Sequence, residues 1–267
     1  MKQISILGCG WLGLPLAKSV VKKGFSVKGS TTSLDRISIL ENSGIQAFQI
    51  EISESQIQGK INSFLENSEI LIIDIPPKLR GNSKENFVAK IKNLIPFIEK
   101  SEIQKVLFVN STSVYADVNI TVTEATIPEP ETESGKQLLE TETLLQSNKN
   151  FKTTVIRFGG LIGENRHPIR FLAGRQNIEN PEAPINLIHQ TDCIGIIEKV
   201  IEQEYWNETF NAVAPYHLTR KTYYTQKALE LNLPLPKFNE EKNSIGKTIS
   251  SEKVQTVLNY KFQNISL

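Results

Sequence analysis

Cysteine is scarce in this chain, with only Cys9 and Cys193 among 267 residues. Two thiols in unrelated contexts make neither a disulfide framework nor a metal-spaced set. Both therefore read as free thiols in a reducing cytoplasm, and no metal site is expected. Charge of one sign is lacking too. The 30 Lys and Arg side chains are balanced by 29 Asp and Glu, so no net field draws the chain to nucleic acid or to an anionic membrane. No apolar run is long enough to span a bilayer. The opening MKQISILGCG passes at once into a strand and a glycine loop, which is no signal peptide. Repeats and low-complexity tracts are absent. What remains is an ordinary globular composition, 39% hydrophobic and 22% charged, in a chain long enough for one large α/β domain or two small ones. Its expected partner is a small-molecule substrate that the sequence does not name, with neither nucleic acid nor membrane, and its expected state is monomer or homodimer.

Short apolar runs alternate with helical patterns through residues 1–160. The runs are ISIL (4–7), FSVKGS (25–30), IQAFQI (45–50), EILIIDI (69–75), KVLFV (105–109) and TTVIRF (153–158). The nearly continuous ILIIDI is what a strand buried on both faces of a parallel sheet needs. Between the runs, Phe87, Val88, Ile91, Leu94, Ile95 and Ile98 fall at helical spacing and predict a helix over 84–100. Asn82 or Ser83 is its predicted cap, with Glu85 completing a capping box on Asn82. Pro96 should kink that helix or end it a turn early. Such alternation implies right-handed βαβ units and a doubly wound parallel sheet, a Rossmann fold. INLI (185–188) and TFNAV (209–213) read as further strands, with a helix over 192–203 between them. Prolines at 215, 234 and 236 and two short helices mark 214–267. Residues 1–267 are thus expected to form a single dinucleotide-binding domain, in which about 160–184 and 214–267 make a small substrate-side lobe.

ILGCGWLGLPLA fits G-x-G-x-x-G at Gly8, Gly10 and Gly13, directly after the first strand and opening the first helix. The bare pattern is weak, and its placement gives it force. Gly8 serves the tight turn, Gly10 the approach of a pyrophosphate, and Gly13 the packing of helix on strand. The helix N-terminus then offers N–H groups to the phosphates. Trp11 and Leu12 lie between the glycines. Trp11 has two readings: a cover over the cofactor, or packing beneath the C-terminal lobe. An acid at the end of the second strand would hold the ribose diol of NAD. This strand ends in KGSTTSLDR, with no acid among Gly29, Ser30, Thr31 and Thr32 and with Arg36 following. Hydroxyls and a guanidinium tolerate a 2′-phosphate, so NADP is favoured over NAD. Ser33 also suits a helix cap, a structural role that can coexist with binding.

NSTSVYAD (110–117) follows the fifth strand, RFGGLIGENRHP (157–168) overlaps the sixth, and NLIHQTD (186–192) leads into the next helix. With GCGWLG, these stretches resemble the extended short-chain dehydrogenase/reductase superfamily of NAD-dependent epimerases and dehydratases, over nearly the whole chain and in order. The resemblance implies a catalytic serine at Ser111, three residues before Val114-Tyr115. It also implies a catalytic tyrosine opening the next helix, with a lysine four residues on. Aligned on Gly135, Ser134 stands at the tyrosine position and Leu138 at the lysine position. No tyrosine lies between Tyr115 and Tyr205. Lys136 is two residues from Ser134, roughly 200° around the helix, and faces away. The chain resembles the YeeZ-like group of atypical members that lack the pair.

Other residues carry paired readings. His167 is either a substitute acid or an exposed loop histidine. His189 reads as a satisfied structural histidine before Thr191, the predicted cap of the next helix. Glu51 and Ile52 match the acidic-aliphatic pair that touches adenine in relatives, or form an ordinary strand end. Pro76 and Pro77 lie along the expected cofactor path, or simply terminate a strand. Asp74 in an apolar strand requires a partner or an exposed end. Two functions follow. One is an NADP(H)-dependent oxidoreductase or epimerase-like enzyme with a non-standard acid/base, with Ser111 on the carbonyl or hydroxyl and Tyr115 or His167 handling the proton. The alternative is a dinucleotide-binding sensor or scaffold that does not turn over.

Overall fold

The computed structural model describes residues 2–77, 79 and 85–264. The chain begins β1 (Gln3–Leu7), α1 (Gly13–Lys22), β2 (Ser26–Thr31), α2 (Ile37–Glu41), β3 (Gln46–Ile52), β4 (Ile57–Gly59), α3 (Ile61–Leu65), β5 (Ile70–Ile73), α4 (Phe87–Glu99) and β6 (Lys105–Ser111). It continues β7 (Thr121–Val122), α5 (Glu133–Gln146), β8 (Lys152–Phe158), β9 (Gly160–Ile162), α6 (Ile169–Leu172), β10 (Leu187–His189), α7 (Gln190–Glu202), β11 (Thr209–Ala212), α8 (Arg220–Glu230), β12 (Thr248–Ile249) and α9 (Glu252–Thr256). Eight strands form one sheet in the order β11-β8-β6-β5-β1-β2-β3-β4. Every pairing in it is parallel except β3 with β4. From β1 the chain winds outward through β2 and β3. It then crosses to β5 and winds the other way, so the winding reverses between β1 and β5. In open α/β sheets the crevice at that reversal, beyond the carboxyl ends of the strands, is where ligands bind.

β5 shows why the sheet forms. Ile70, Leu71, Ile72 and Ile73 are all fully buried. Ile70 and Ile72 enter the cluster on the α1 and α7 face, while Leu71 and Ile73 enter the one on the α3, α4 and α5 face. Each such side chain contributes roughly 1.5–3 kcal/mol by leaving water. A third, smaller cluster joins Ile162, Ile169, Ile185 and Leu187 to Tyr223 and Ala228.

Several element ends differ from the sequence reading. α4 begins at Phe87, capped by Asn86, whose side chain accepts from the Ala89 N–H at 2.9 Å. The expected caps Asn82 and Ser83, and residue 84, lie outside the described residues. α4 also runs through Pro96 to Glu99. Lys92 and Pro96 are both exposed, so the carbonyl that loses its N–H partner to the ring can reach water. α7 is capped two residues earlier than Thr191, at His189. The His189 Nδ1 accepts from the Thr191 N–H at 3.3 Å. INLI contributes Leu187 and Ile188 to β10, which His189 completes, in a separate parallel pair with β9 rather than in the main sheet.

Candidate functional site

Past Leu7 the chain turns through Gly8 and Gly10 into α1. Gly8 has φ +104°, and a Cβ there would lie 2.4 Å from the Asp74 carbonyl oxygen. A Cβ on Gly13 would lie 2.2 Å from the Gly8 carbonyl oxygen, so α1 leaves directly against the turn. Around Gly10 the space is open, with nothing within 4 Å of an added Cβ. The three glycines therefore do different work, two against protein and one facing a void. Ser30 fastens the loop to β2. Its Oγ accepts from the Gly8 N–H at 2.9 Å and its carbonyl from the Cys9 N–H at 2.8 Å. Both cysteines are free and buried, and burial pushes the Cys9 thiol up to about 12.

The void at Gly10 belongs to a groove of about 340 Å³ at the sheet's reversal. Gly8, Cys9 and Gly10 form one wall, and Ser30, Thr31, Thr32 and Arg36 the next. Ile50, Glu51 and Ile52 come from β3, and Asp74, Ile75 and Pro76 from beyond β5. Glu54, Glu85 and Lys90 also line it, the last two ion-paired at 2.5 Å. The groove thus gathers nine of the cofactor candidates: Gly8, Gly10, Ser30, Thr31, Thr32, Arg36, Glu51, Ile52 and Pro76. Leu12, Gly13, Trp11 and Pro77 are not in its lining. Leu12 is buried in the core and Gly13 is packed at the start of α1. Trp11 packs beneath the loop after β9, with the Arg166 guanidinium 4.8 Å over its ring and the Gln190 amide donating to its carbonyl at 2.6 Å. Ser33 sits at the start of the 3₁₀ turn Leu34–Arg36 but makes no side-chain cap bond. Its N–H instead donates to the Thr31 Oγ1 at 3.2 Å, which leaves the Thr31 hydroxyl proton available to an acceptor.

None of Ser111, Tyr115 and His167 is in the groove lining. Ser111 ends β6, and its Oγ accepts from the Ser113 N–H at 3.1 Å. Tyr115 is buried in a polar network that the sequence reading did not assemble. Its hydroxyl donates to the Asn211 Oδ1 at 3.0 Å and accepts from the Arg157 Nη1. Arg157 is held by both carboxylate oxygens of Glu142, through Nε at 3.0 Å and through Nη2. Asn110 donates to the same carboxylate at 2.7 Å. Asn110, Arg157 and Asn211 lie in register across β6, β8 and β11. An arginine inside the apolar run TTVIRF was the available signal for this network. Burial pushes the Tyr115 phenol up, and Arg157 and Asn211 only partly offset it.

His167 is half-buried rather than an exposed loop residue. Its Nδ1 accepts from the Ile169 N–H at 3.1 Å and its Nε2 lies 2.8 Å from the Tyr223 hydroxyl. Since Nδ1 accepts, the assigned neutral tautomer carries its proton on Nε2 and donates to Tyr223. Burial, with Lys227 and Arg170 nearby, pushes the imidazole down to about 4. α5 starts at a Thr132 cap, whose Oγ1 accepts from the Gly135 N–H at 3.1 Å. A Cβ on Gly135 would lie 2.4 Å from the Ser113 carbonyl oxygen, so α5 presses on the loop that carries Ser111. Ser134 is half-buried and Lys136 exposed, while Leu138 packs in the cluster that holds Tyr115. No metal-binding cluster and no membrane-spanning helix occur among the described residues.

No protein-family model matches the sequence. It is 32% identical over 265 residues to Protein YeeZ of Escherichia coli strain K12, an alignment covering 98% of this chain and 96% of that protein. In structure it matches UDP-glucuronic acid 4-epimerase from Bacillus cereus in complex with NAD, with TM-score 0.80 and 15% identity over 98% of this chain and 92% of that one. It also matches a short-chain dehydrogenase/reductase superfamily protein from Agrobacterium tumefaciens with bound NAD, with TM-score 0.79 and 15% identity over 98% and 92%. At that identity the likeness establishes the shared fold.

Proposed function

The chain belongs to the YeeZ family and has the fold of NAD-binding epimerases, and on that premise we propose that it binds a nicotinamide dinucleotide, NADP(H) in preference to NAD(H). The observation that carries this reading is the open space at Gly10 within a groove at the sheet's reversal. A cradle that a single Cβ would invade is what a pyrophosphate needs. Thr31, Thr32 and Arg36 supply hydroxyl and guanidinium donors where NAD-specific sites place an acid. NADPH should therefore bind more tightly than NADH in an intrinsic-fluorescence titration. Thr31→Asp should move the preference toward NADH, because a carboxylate accepts from a ribose diol and repels a 2′-phosphate. Equal affinity, or an NADH preference in the wild type, would refute the NADP assignment.

When bound, the nicotinamide supplies hydride chemistry. In the enzyme reading, Ser111 orients a substrate carbonyl or hydroxyl through its remaining hydroxyl proton. The substrate proton falls to Tyr115 or to His167. Tyr115→Phe and His167→Gln separate the two, since the responsible residue's variant loses NADPH consumption against aldehydes and ketones while cofactor affinity stays. One observation favours the rival, a non-catalytic sensor or scaffold. Leu138, at the position where the resemblance expects lysine, is part of the apolar core. Tight NADPH binding with no consumption across the carbonyl panel would decide for the sensor.

A further inference from the structure

We infer that Asp74 is a ligand-binding residue of this groove, and that it holds a proton there which it donates to a phosphate oxygen of the bound dinucleotide. The inference rests on the dinucleotide reading above. Asp74 follows directly on β5, and its N–H donates to the Leu7 carbonyl at 2.9 Å, so its backbone is fixed to β1 at the reversal. Gly8 lies against its carbonyl, and a Cβ on Gly13 would come 3.0 Å from its Oδ2. The carboxyl therefore sits over the first turn of α1, where it accepts from the Gly13 N–H. α1 needs that acceptor, because its cap residue Leu12 offers no side-chain bond. The same carboxyl lines the groove beside Gly8 and Gly10, on the side where a pyrophosphate would meet α1.

An ionised carboxylate and a pyrophosphate on one helix end repel each other. A neutral carboxyl removes the conflict. It accepts from Gly13 with one oxygen and donates its proton to the phosphate with the other. The titratable groups facing it are Cys9 from the glycine loop, Cys193 from α7 and Arg166 from the loop after β9. Both thiols are pushed up by burial and uncharged. The flanking positions at this level, Gly8 beside β1 and Val109 on β6, carry no charge. Arg36, Glu51, Glu54, Glu85 and Lys90 line the same groove. Burial pushes the Asp74 carboxyl up to about 8, with the Gly13 N–H and Arg166 pulling the other way.

The test is calorimetry of NADPH binding to the full chain at about pH 9, in two buffers of different ionisation heat, with affinities from about pH 6 to 9. The wild type should take up nearly one proton per NADPH, and its affinity should fall about tenfold per pH unit above about 8. Asp74→Asn should bind without that proton and with a flat profile. No uptake by the wild type, or equal uptake by Asp74→Asn, would overturn the inference. If neither protein binds NADPH or NADH, the dinucleotide reading fails instead. The ligand-free proteins then still decide whether Asp74 holds a proton. A carboxyl raised in the folded state stabilises fully below its unfolded pKa, and that stability is lost as pH rises toward about 8. The melting-temperature advantage of Asp74→Asn should therefore widen from about pH 4 to 8, and a constant difference would remove the proton from Asp74.

Discussion

At the scale of single residues, the three loop glycines separate into two kinds. Gly8 and Gly13 exclude a Cβ because backbone atoms already stand 2.4 and 2.2 Å from it. Gly10 excludes nothing of the protein. Gly10→Val should therefore leave the melting temperature nearly unchanged, since surface changes away from special features stay within about 0.5 kcal/mol. It should abolish the NADPH fluorescence titration, because the valine takes the phosphate's place. Gly8→Ala should do the opposite at first order. Its positive φ and the Asp74 backbone make it destabilising whether or not cofactor is present. A folded Gly10→Val protein that keeps its affinity would reduce the loop to a turn. The glycine pattern was legible in the sequence because its spacing is local, between one strand and the next helix, although the Asp74 carbonyl that crowds Gly8 is distant in the chain.

At the scale of elements, the strands and helices were legible for the same reason, while the contacts between them were not. A strand buried on both faces must be apolar throughout, and β5 announces itself as ILII. Helix ends were misplaced at α4 and α7. Several polar residues in a row can each cap a helix, and the one used is set by where the chain leaves the sheet. His189 ends β10 and so caps α7, which leaves Thr191 inside the helix. The Tyr115 network was illegible because its members come from β6, α5, β8 and β11 and are distant in sequence. It has a measurable consequence. The Arg157 and Glu142 side chains are only 6% and 4% exposed, so Arg157→Met strands a buried carboxylate. That should lower the unfolding free energy by about 3–5 kcal/mol in urea. Replacing both with apolar residues of similar size should recover most of the loss. A double variant as unstable as the single one would mean that Asn110 and Tyr115 depend on the pair.

At the scale of the whole molecule, the sheet's α1 and α7 face is closed by residues that come late in the chain. Val254, Leu258, Tyr260 and Phe262 belong to the same cluster as Ile4, Leu16 and Val20. Asp192, fully buried near the start of α7, holds them in place. Its carboxylate accepts from the Tyr260 hydroxyl at 2.9 Å, from the Gln263 N–H at 2.7 Å, and from the N–H and side-chain amide of Asn264 at 3.2 and 3.0 Å. Asp192→Ala leaves those donors without their acceptor. It should lower stability by on the order of 2–4 kcal/mol and speed proteolytic trimming of residues 250–264. Equal trimming rates in variant and wild type would show that apolar contact alone holds the segment. The same closure sets an order on the protein's synthesis. All eight strands of the sheet are translated before residue 213, yet the cluster on its α1 and α7 face lacks Val254, Leu258, Tyr260 and Phe262 until those residues have left the ribosome. A nascent chain that has not yet reached Val254 thus carries an incomplete apolar cluster, whose unfilled side is a surface that chaperones can bind.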